Sequence, residues 1–356
     1  MKSALLFITA LVATPTLAKA PDTYGEVADL VEAARNEWRA PGMSVAVVVD
    51  GGIAWARGFG LADVENEVEA RPDTVYRIAS ISKPLSATAI MQLMEKGKLS
   101  IDDPVTKHVP SFPDRGLGIT LRHLLTHTSG IRHYKAGEMD LKDHFDSVEA
   151  GLEIFKDDPL LFTPGMKYSY SSYAYNLLGA VVESASGLTF EAYMKEKVWG
   201  PAGMTATRLE QQGEIVPHRS RQYVVAGGGG RVANAPFADL SVKWAGGGMV
   251  STVEDLARFA IALDQGVLLK PTTLATMYEP MTLTDGTRTD YGLGWDSRVD
   301  ERGRRWIAHG GGATGGSTYI LRLPEKRFAV TIAANVQDAG DRRALGMKIA
   351  ELVLAR

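Results

Sequence analysis

The chain has 356 residues and contains no cysteine. This absence excludes disulfide bonds, a catalytic thiol and thiolate metal ligands, so an apolar core must hold the folded state together. Neither sign of charge is in excess, because 39 Lys and Arg residues stand against 42 Asp and Glu residues and the net charge is -3. A protein that binds nucleic acid through its charge carries a basic excess. We therefore expect no nucleic-acid partner.

The sequence also lacks a long apolar run. Residues 4–12 form a short apolar stretch after Lys2, and nine residues are too few to span a bilayer. Small residues follow, with Ala18 or Ala20 as cleavage points, and this pattern is typical of an export signal. We expect residues 1–20 to be a signal peptide and the mature protein to be periplasmic or secreted, with no integral membrane segment. A short membrane-associated N-terminus is the alternative.

Strand patterns lie near both ends of the chain, and helical patterns fill its middle. The predicted strands are residues 43–49, 53–59, 305–308, 318–323 and 327–334. The predicted helices are residues 27–38, 80–96, 120–126, 140–156, 177–186, 190–198, 251–263 and 342–354. The economical arrangement pairs the terminal hairpins in one antiparallel sheet that the terminal helices cover. This predicts an α/β sheet domain (21–78 and 240–356), a mainly helical domain (79–239) and a site in the cleft between them.

Ser80 and Lys83 are the most informative pair of residues. A helix that begins near Ser80 places both side chains on one face, where they can meet. A serine hydroxyl needs an adjacent base to become a nucleophile, and a partly desolvated lysine can serve as that base. Pro84 fits a first helical turn, where its missing N–H costs little. The alternative is a capped surface helix with an ordinary lysine.

Two further segments carry residues suited to the same chemistry. Residues 164–172 form a polar, aromatic loop before a helix, in which Tyr170 could move a proton to or from a serine if a lysine lowers its pKa. His309 follows a short strand and precedes a glycine run that would let a substrate backbone approach closely. The backbone N–H near Gly312 could join that of Ser80 in binding an oxyanion. Without the other motifs, both segments would read as surface loops.

Taken together, these motifs resemble those of the penicillin-recognising serine hydrolases, the superfamily of class C β-lactamases, DD-peptidases and related esterases. The matching positions, in the order in which that superfamily has them, are Ser80 with Lys83, Tyr170 with Ser172, and His309 with Gly311. Further stretches that agree are residues 76–79, 124–130, 176–179 and 247–252. Residues 78–85 and 129–134 are most similar to the mitochondrial type of serine β-lactamase-like protein and its bacterial relatives.

The resemblance implies an antiparallel β-sheet flanked by helices plus a mainly helical lobe, and a reaction that passes through an acyl-enzyme. It implies that Ser80 is the nucleophile and that Lys83 and Tyr170 share the role of general base, without deciding between them. Ser172, His309, Gly311 and Gly312 would bind the substrate, with no metal and no cofactor. Ser172 stands where the family usually has asparagine, and its shorter side chain lacks the amide donor. This departure puts substrate positioning and β-lactam turnover in doubt.

Other interpretations have less support. Ser82 is the rival nucleophile, but it would point away from the face that Ser80 and Lys83 share. His123 and His127 have the i, i+4 spacing of a metal pair but lack the intervening glutamate of zinc proteases. Residues 310–317 resemble a phosphate loop only superficially, because the required lysine is absent.

The class of function also stays open at the level of sequence. Within the enzymes, the expectation is a small-molecule or peptide substrate cleaved by a peptidase or amidase, with an esterase or a true β-lactamase or DD-carboxypeptidase as alternatives. The alternative from another class of function is a binding or scaffold protein that has the same fold but little or no catalytic activity.

Overall fold

A computed structural model describes residues 23–113, 116–226 and 230–355 of the chain. The predicted signal peptide, residues 1–20, lies outside the described residues, so export stays a prediction. The helices are α1 (Thr23–Glu37), α2 (Ser82–Glu95), α3 (Val105–His108), α4 (Leu121–Leu125), α5 (Ser172–Ser186), α6 (Phe190–Tyr193), α7 (Trp244–Gly247), α8 (Val253–Asp264), α9 (Pro271–Tyr278) and α10 (Arg342–Leu354). In the described ranges, no helix is both long and apolar enough to cross a bilayer.

One seven-stranded antiparallel sheet joins the two ends of the chain, as predicted. The strands are β1 (Gly42–Val49), β2 (Gly52–Asp63), β3 (Val68–Glu69), β4 (Tyr76–Arg77), β5 (Arg208–Leu209), β6 (Tyr223–Ala226), β7 (Arg231–Asn234), β8 (Met249–Ser251), β9 (Asp296–Val299), β10 (Arg305–Ala313), β11 (Gly316–Leu323) and β12 (Phe328–Ala334). The order in the large sheet is β3-β2-β1-β12-β11-β10-β9. The pairing of β1 with β12 closes the N-terminal hairpin onto the C-terminal one.

The central strands are buried on both faces, because helices cover the sheet from two sides. Alternate residues of β1 point to opposite faces. Val45 and Val47 pack in the cluster beneath α1 and α10, whereas Ala46 and Val48 face the cluster that contains the helical region. These two clusters form the core on either side of the sheet. The predicted domain boundaries at 78 and 239 stay a prediction.

Helix α2 runs through the middle of the helical region, and its residues 82–93 are all buried. It packs against α5 and α7, so neither end of the Ser80–Lys83 motif lies on an outer surface. Residues 79–81 form a 3₁₀ turn ahead of α2, in which Ala79 and Ile81 are buried and Ser80 is half-buried. The helix thus begins two residues later than the sequence predicted, and a turn carries Ser80 into the cleft.

Two predictions of local structure were wrong. Residues 140–156 form no α-helix and contain only a 3₁₀ turn, at Ala150–Ile154. The reason is that part of their backbone bonds a neighbouring segment. The Asp239 N–H donates to Leu141 O, and the Phe145 N–H donates to Ser241 Oγ. The helix predicted to begin at residue 251 begins at Val253 instead. Thr252 caps it by accepting the Asp255 N–H at 3.0 Å, since Ser251 still belongs to β8.

Candidate active site

The first and second sequence motifs meet at Lys83. Its Nζ lies 2.9 Å from Ser80 Oγ, 3.0 Å from Ser172 Oγ and 2.5 Å from the carbonyl oxygen of Gly246. The side chain is fully buried, whereas Ser80 is half-buried and reaches the cleft. Burial lowers the pKa of Lys83 well below its usual value, and the Lys243 ammonium adds to this effect. Burial among three neutral oxygens therefore disfavours the charged form of Lys83 beside Ser80.

The three partners of Lys83 fit an uncharged amine, which has two N–H groups and one lone pair. The Gly246 carbonyl can only accept a hydrogen bond, and the Ser172 hydroxyl can accept one. In the uncharged form the lone pair is left for the proton of Ser80, whereas in the charged form Nζ donates to Ser80 Oγ. This close approach requires glycine at 246, because a Cβ there would stand 2.6 Å from the backbone oxygen of Ser172.

Ser82 does not compete with Ser80 as a nucleophile. It is fully buried and its Oγ donates to the Ala79 carbonyl oxygen at 2.7 Å while accepting the Met249 N–H at 3.3 Å. Ala79 has a φ of +48°, an uncommon value for a residue with a Cβ. That backbone conformation lies directly before Ser80, where it turns the hydroxyl toward the cleft.

Tyr170 contacts Ser80 through a side-chain hydrogen bond, and its ring centre lies 4.8 Å from Lys83 Nζ. Burial raises the pKa of Tyr170 well above its usual value, in spite of the hydrogen bond to Ser80, which lowers it. The sequence suggested that a nearby lysine could lower this pKa. The structure differs because the burial of Tyr170 disfavours the phenolate more than its neighbours stabilise it. Tyr170 is thus a neutral phenol beside the predicted nucleophile.

The third motif lies on β10, which runs straight through the glycines rather than ending at Ala308. Residues 305–308 pair with β9, whereas residues 309–313 have β11 on one side and no strand of the described chain on the other. A Cβ at Gly311 would stand 2.4 Å from Ile78 O, so glycine lets the strand pass close to the turn that carries Ser80. Gly312 is exposed, with nothing within 4 Å of a Cβ built there. A free strand edge therefore faces the cleft beside Ser80.

His309 is buried in this strand, only 3% exposed, and both of its nitrogens are engaged. Nδ1 lies 2.8 Å from the Gly310 carbonyl oxygen, which can only accept, so Nδ1 carries the proton. Nε2 then accepts from the Tyr291 hydroxyl at 2.8 Å. Burial, and then the positive charge of Lys83 when it is protonated, lower the pKa of His309 to about 3. His309 is therefore neutral, and it provides no positive charge at the position where the family often has lysine.

Sequence reasoning missed three residues near this site. Tyr291 orients His309, and Tyr134 is hydrogen-bonded to Ser172. Lys243 is buried at the start of α7. A signal for Lys243 existed, because it is the only charged residue between Asp239 and Glu254 in a run rich in glycine and apolar residues.

The two histidines of the rejected metal pair have protein partners. His123 Nδ1 accepts the Thr120 N–H at 3.2 Å within the cap of α4, and His127 Nδ1 accepts the Ser171 N–H at 3.1 Å. The ring of His127 lies 4.2 Å from that of Tyr170, centre to centre. His127 thus supports the loop of the second motif.

Comparison with known proteins places the chain in a family. The family model described as Beta-lactamase matches residues 27–354. The human mitochondrial serine beta-lactamase-like protein LACTB is 33% identical over 88% of this chain and 74% of its own length. The octameric penicillin-binding protein homologue from Pyrococcus abyssi has a TM-score of 0.81 at 27% identity, covering 94% of this chain and 78% of that one. A D-stereospecific amidohydrolase from a Streptomyces species has a TM-score of 0.78 at 27% identity, covering 93% and 98%. The chain therefore belongs to the β-lactamase family of the penicillin-recognising serine hydrolases.

Proposed function

We propose that this protein is a serine hydrolase that forms an acyl-enzyme at Ser80 and cleaves an amide or ester bond. The observation that carries the proposal is the contact between a cleft-facing hydroxyl and a buried lysine amine that has only neutral oxygen partners. Nucleophile and base lie within hydrogen-bonding distance, and the base is itself oriented by further groups. Membership of a family of serine hydrolases supports the same assignment.

In the proposed reaction, Lys83 takes the proton of Ser80 while Oγ attacks the substrate carbonyl carbon. The backbone N–H groups of Ser80 and Gly312 bind the developing oxyanion. Tyr170, as a neutral phenol, donates a proton to the leaving group and recovers one from Lys83. Water then attacks the acyl-enzyme and releases the acid, restoring Ser80. No metal or cofactor takes part in these steps.

The neutral state of His309 favours one substrate class over another. A DD-carboxypeptidase or a β-lactamase acts on molecules with a carboxylate near the scissile bond, and a positive charge at this position of β10 would bind it. His309 supplies none, since its nitrogens are engaged by Gly310 and Tyr291. We therefore infer a preference for amides or esters without that carboxylate, and the similarity to a D-stereospecific amidohydrolase supports an amide.

Hydrolysis of three chromogenic compounds tests this proposal: a D-amino acid anilide, a short-chain nitrophenyl ester and a cephalosporin. We expect turnover of the anilide or the ester to exceed that of the cephalosporin, and Ser80→Ala to lower kcat/KM by about a thousandfold or more. Ser82→Ala is the matched control. A Ser80→Ala protein with unchanged turnover would contradict the mechanism, and a folded wild type with no turnover would favour a scaffold role.

A further inference from the structure

A second lysine lies buried behind the site. Lys243 is 2% exposed, and its ammonium donates to the Met139 carbonyl oxygen and lies 5.2 Å from the ring centre of Tyr134. No carboxylate of the described residues forms an ion pair with it; Asp140 and Glu210 act on it only from a greater distance. Burying a charge without a counter-ion is costly, so such a residue requires an explanation.

The other cationic groups of the site cannot supply the same charge. Arg77 is paired with Glu210 at 2.8 Å, so its charge is balanced. His309 is neutral because burial lowers its pKa to about 3. Among the described residues, Lys243 is the cation that acts on Lys83. Burial, and then Arg77, lower the pKa of Lys243 to about 8, which leaves it mainly protonated at pH 7.

Lys243 and Lys83 are connected by two structural routes. The first is α7, which begins directly after Lys243 and presents the Gly246 carbonyl oxygen to Lys83 Nζ. Asn176 of α5 holds this turn, because its side chain donates to Val242 O and accepts the Gly246 N–H at 3.2 Å. The second route passes from the Tyr134 ring, through the Tyr134 hydroxyl, to Ser172 and on to Lys83.

We propose that Lys243 is a positioning residue whose buried positive charge holds the Lys83 amine in its uncharged, proton-accepting form. The family often has a lysine on β10 where this chain has the neutral His309. Here Lys243, buried behind the site, provides a positive charge instead. A like charge nearby disfavours protonation of Lys83, and the low dielectric of the interior strengthens the effect. The inference rests on the proposed role of Lys83 as the base of Ser80.

Other titratable and charged groups face the two lysines, and the test must separate their effects from that of Lys243. Six charged or titratable groups either act on one of the two lysines or have a pKa that one of them shifts: Arg77, His127, His133, Asp140, Glu210 and His309. Three aromatic rings also face the side-chain nitrogens of these lysines: Tyr134, Tyr170 and Tyr175. A substitution confined to position 243 leaves each of these side chains in place, although it removes the part of the His133 pKa shift that Lys243 causes.

The test compares the dependence of kcat/KM on pH in Lys243→Gln and Lys243→Arg, with the exposed Lys348→Gln as a control. Removing the charge in Lys243→Gln raises the pKa of Lys83, so the acid limb moves to higher pH by about one unit. On the acid side of the profile, kcat/KM of Lys243→Gln is then about tenfold lower than that of the wild type, and the difference disappears at alkaline pH. Lys243→Arg retains the charge and should leave the limb in place. Lys243→Met replaces the glutamine variant if that does not fold.

Two outcomes would overturn the proposal by showing a purely structural role. One is that Lys243→Gln lowers kcat/KM by the same factor at every pH. The other is that the acid limb of Lys243→Arg shifts as far as that of Lys243→Gln. A second readout does not depend on turnover: the titration of Lys83 by NMR in protein labelled with ¹³C at lysine Cε, assigned with Lys83→Arg. An unchanged Lys83 titration in Lys243→Gln also contradicts the inference. Absence of turnover in the wild type would instead contradict the proposed function, and the NMR titration would still decide the coupling.

Discussion

At the scale of single residues, the site depends on keeping ionisable groups uncharged. Lys83, Tyr170 and His309 each have a pKa shifted by burial toward the neutral form, and each has its hydrogen bonds directed at neutral partners. In the proposed mechanism, the lowered pKa of Lys83 favours the form that can take the proton of Ser80. The sequence identified all three residues, but their charge states follow from burial, which no motif contains.

Ser172 should contribute measurably to catalysis although it departs from the family pattern. Its Oγ is one of two acceptors that orient the Lys83 amine, so Ser172→Ala leaves an amine N–H unsatisfied in a buried site. Such a loss costs about 1–3 kcal/mol, and we expect kcat/KM to fall by about tenfold to a hundredfold. Steady-state hydrolysis is the measurement. Ser184→Ala, an exposed position on the same helix, is the control. Equal rates in Ser172→Ala and wild type would show that Gly246 alone orients Lys83.

At the scale of secondary-structure elements, the sequence predicted what local patterns determine. Both terminal hairpins and helix α10 (Arg342–Leu354) lie where alternation and helical spacing placed them. The failures occur where tertiary contacts replace local ones. In residues 140–156, Leu141 O and the Phe145 N–H bond Asp239 and Ser241, and no pattern within the segment could reveal that partner. The strand predicted over residues 305–308 continues through the glycines after His309 to Ala313, because these residues pair with β11 and pack against the Ser80 turn.

Two adjacent glycines of β10 should respond differently to the same substitution. In Gly311→Ala the new methyl would stand 2.3 Å from Thr318 Oγ1 and 2.4 Å from Ile78 O, so the strand must move away from the Ser80 turn. We expect a loss of about 1–3 kcal/mol in the free energy of unfolding, with reduced turnover. In Gly312→Ala the methyl meets nothing within 4 Å, so stability should stay unchanged while the cleft narrows. Urea unfolding measures both. Equal destabilisation of the two variants would contradict the close approach of β10 to the turn.

At the scale of the whole molecule, a site made of neutral buried bases should make the fold sensitive to acid. Burial holds the pKa of His309 at about 3 and that of His127 well below its usual value of 6.5. Because both folded-state values are depressed, the unfolded chain binds more protons below pH 6.5. Stability is therefore complete above that pH and is lost as the pH falls toward the folded-state values.

We expect the free energy of unfolding to fall by about 2 kcal/mol per buried imidazole between pH 6.5 and pH 5. Urea titrations at pH 7.5 and pH 5 measure this difference in the wild type and in His309→Gln. The variant keeps an acceptor for Tyr291 but cannot be protonated, so its loss between the two pH values should be smaller. Carboxyl groups titrate alike in both proteins, and the comparison isolates His309. An identical loss in both would contradict a neutral, buried His309.

The central claim is that Ser80 is an activated nucleophile, and its most direct test is the intact mass of the protein after reaction with a fluorophosphonate and, separately, with a penicillin. We predict one adduct on the wild type, mapped by peptide mass to Ser80 and absent in Ser80→Ala, with Ser82→Ala still labelled. The fluorophosphonate should react faster than the penicillin, since His309 offers the penicillin carboxylate no charge. An adduct on another residue, or no adduct with either reagent on folded protein, would contradict the account.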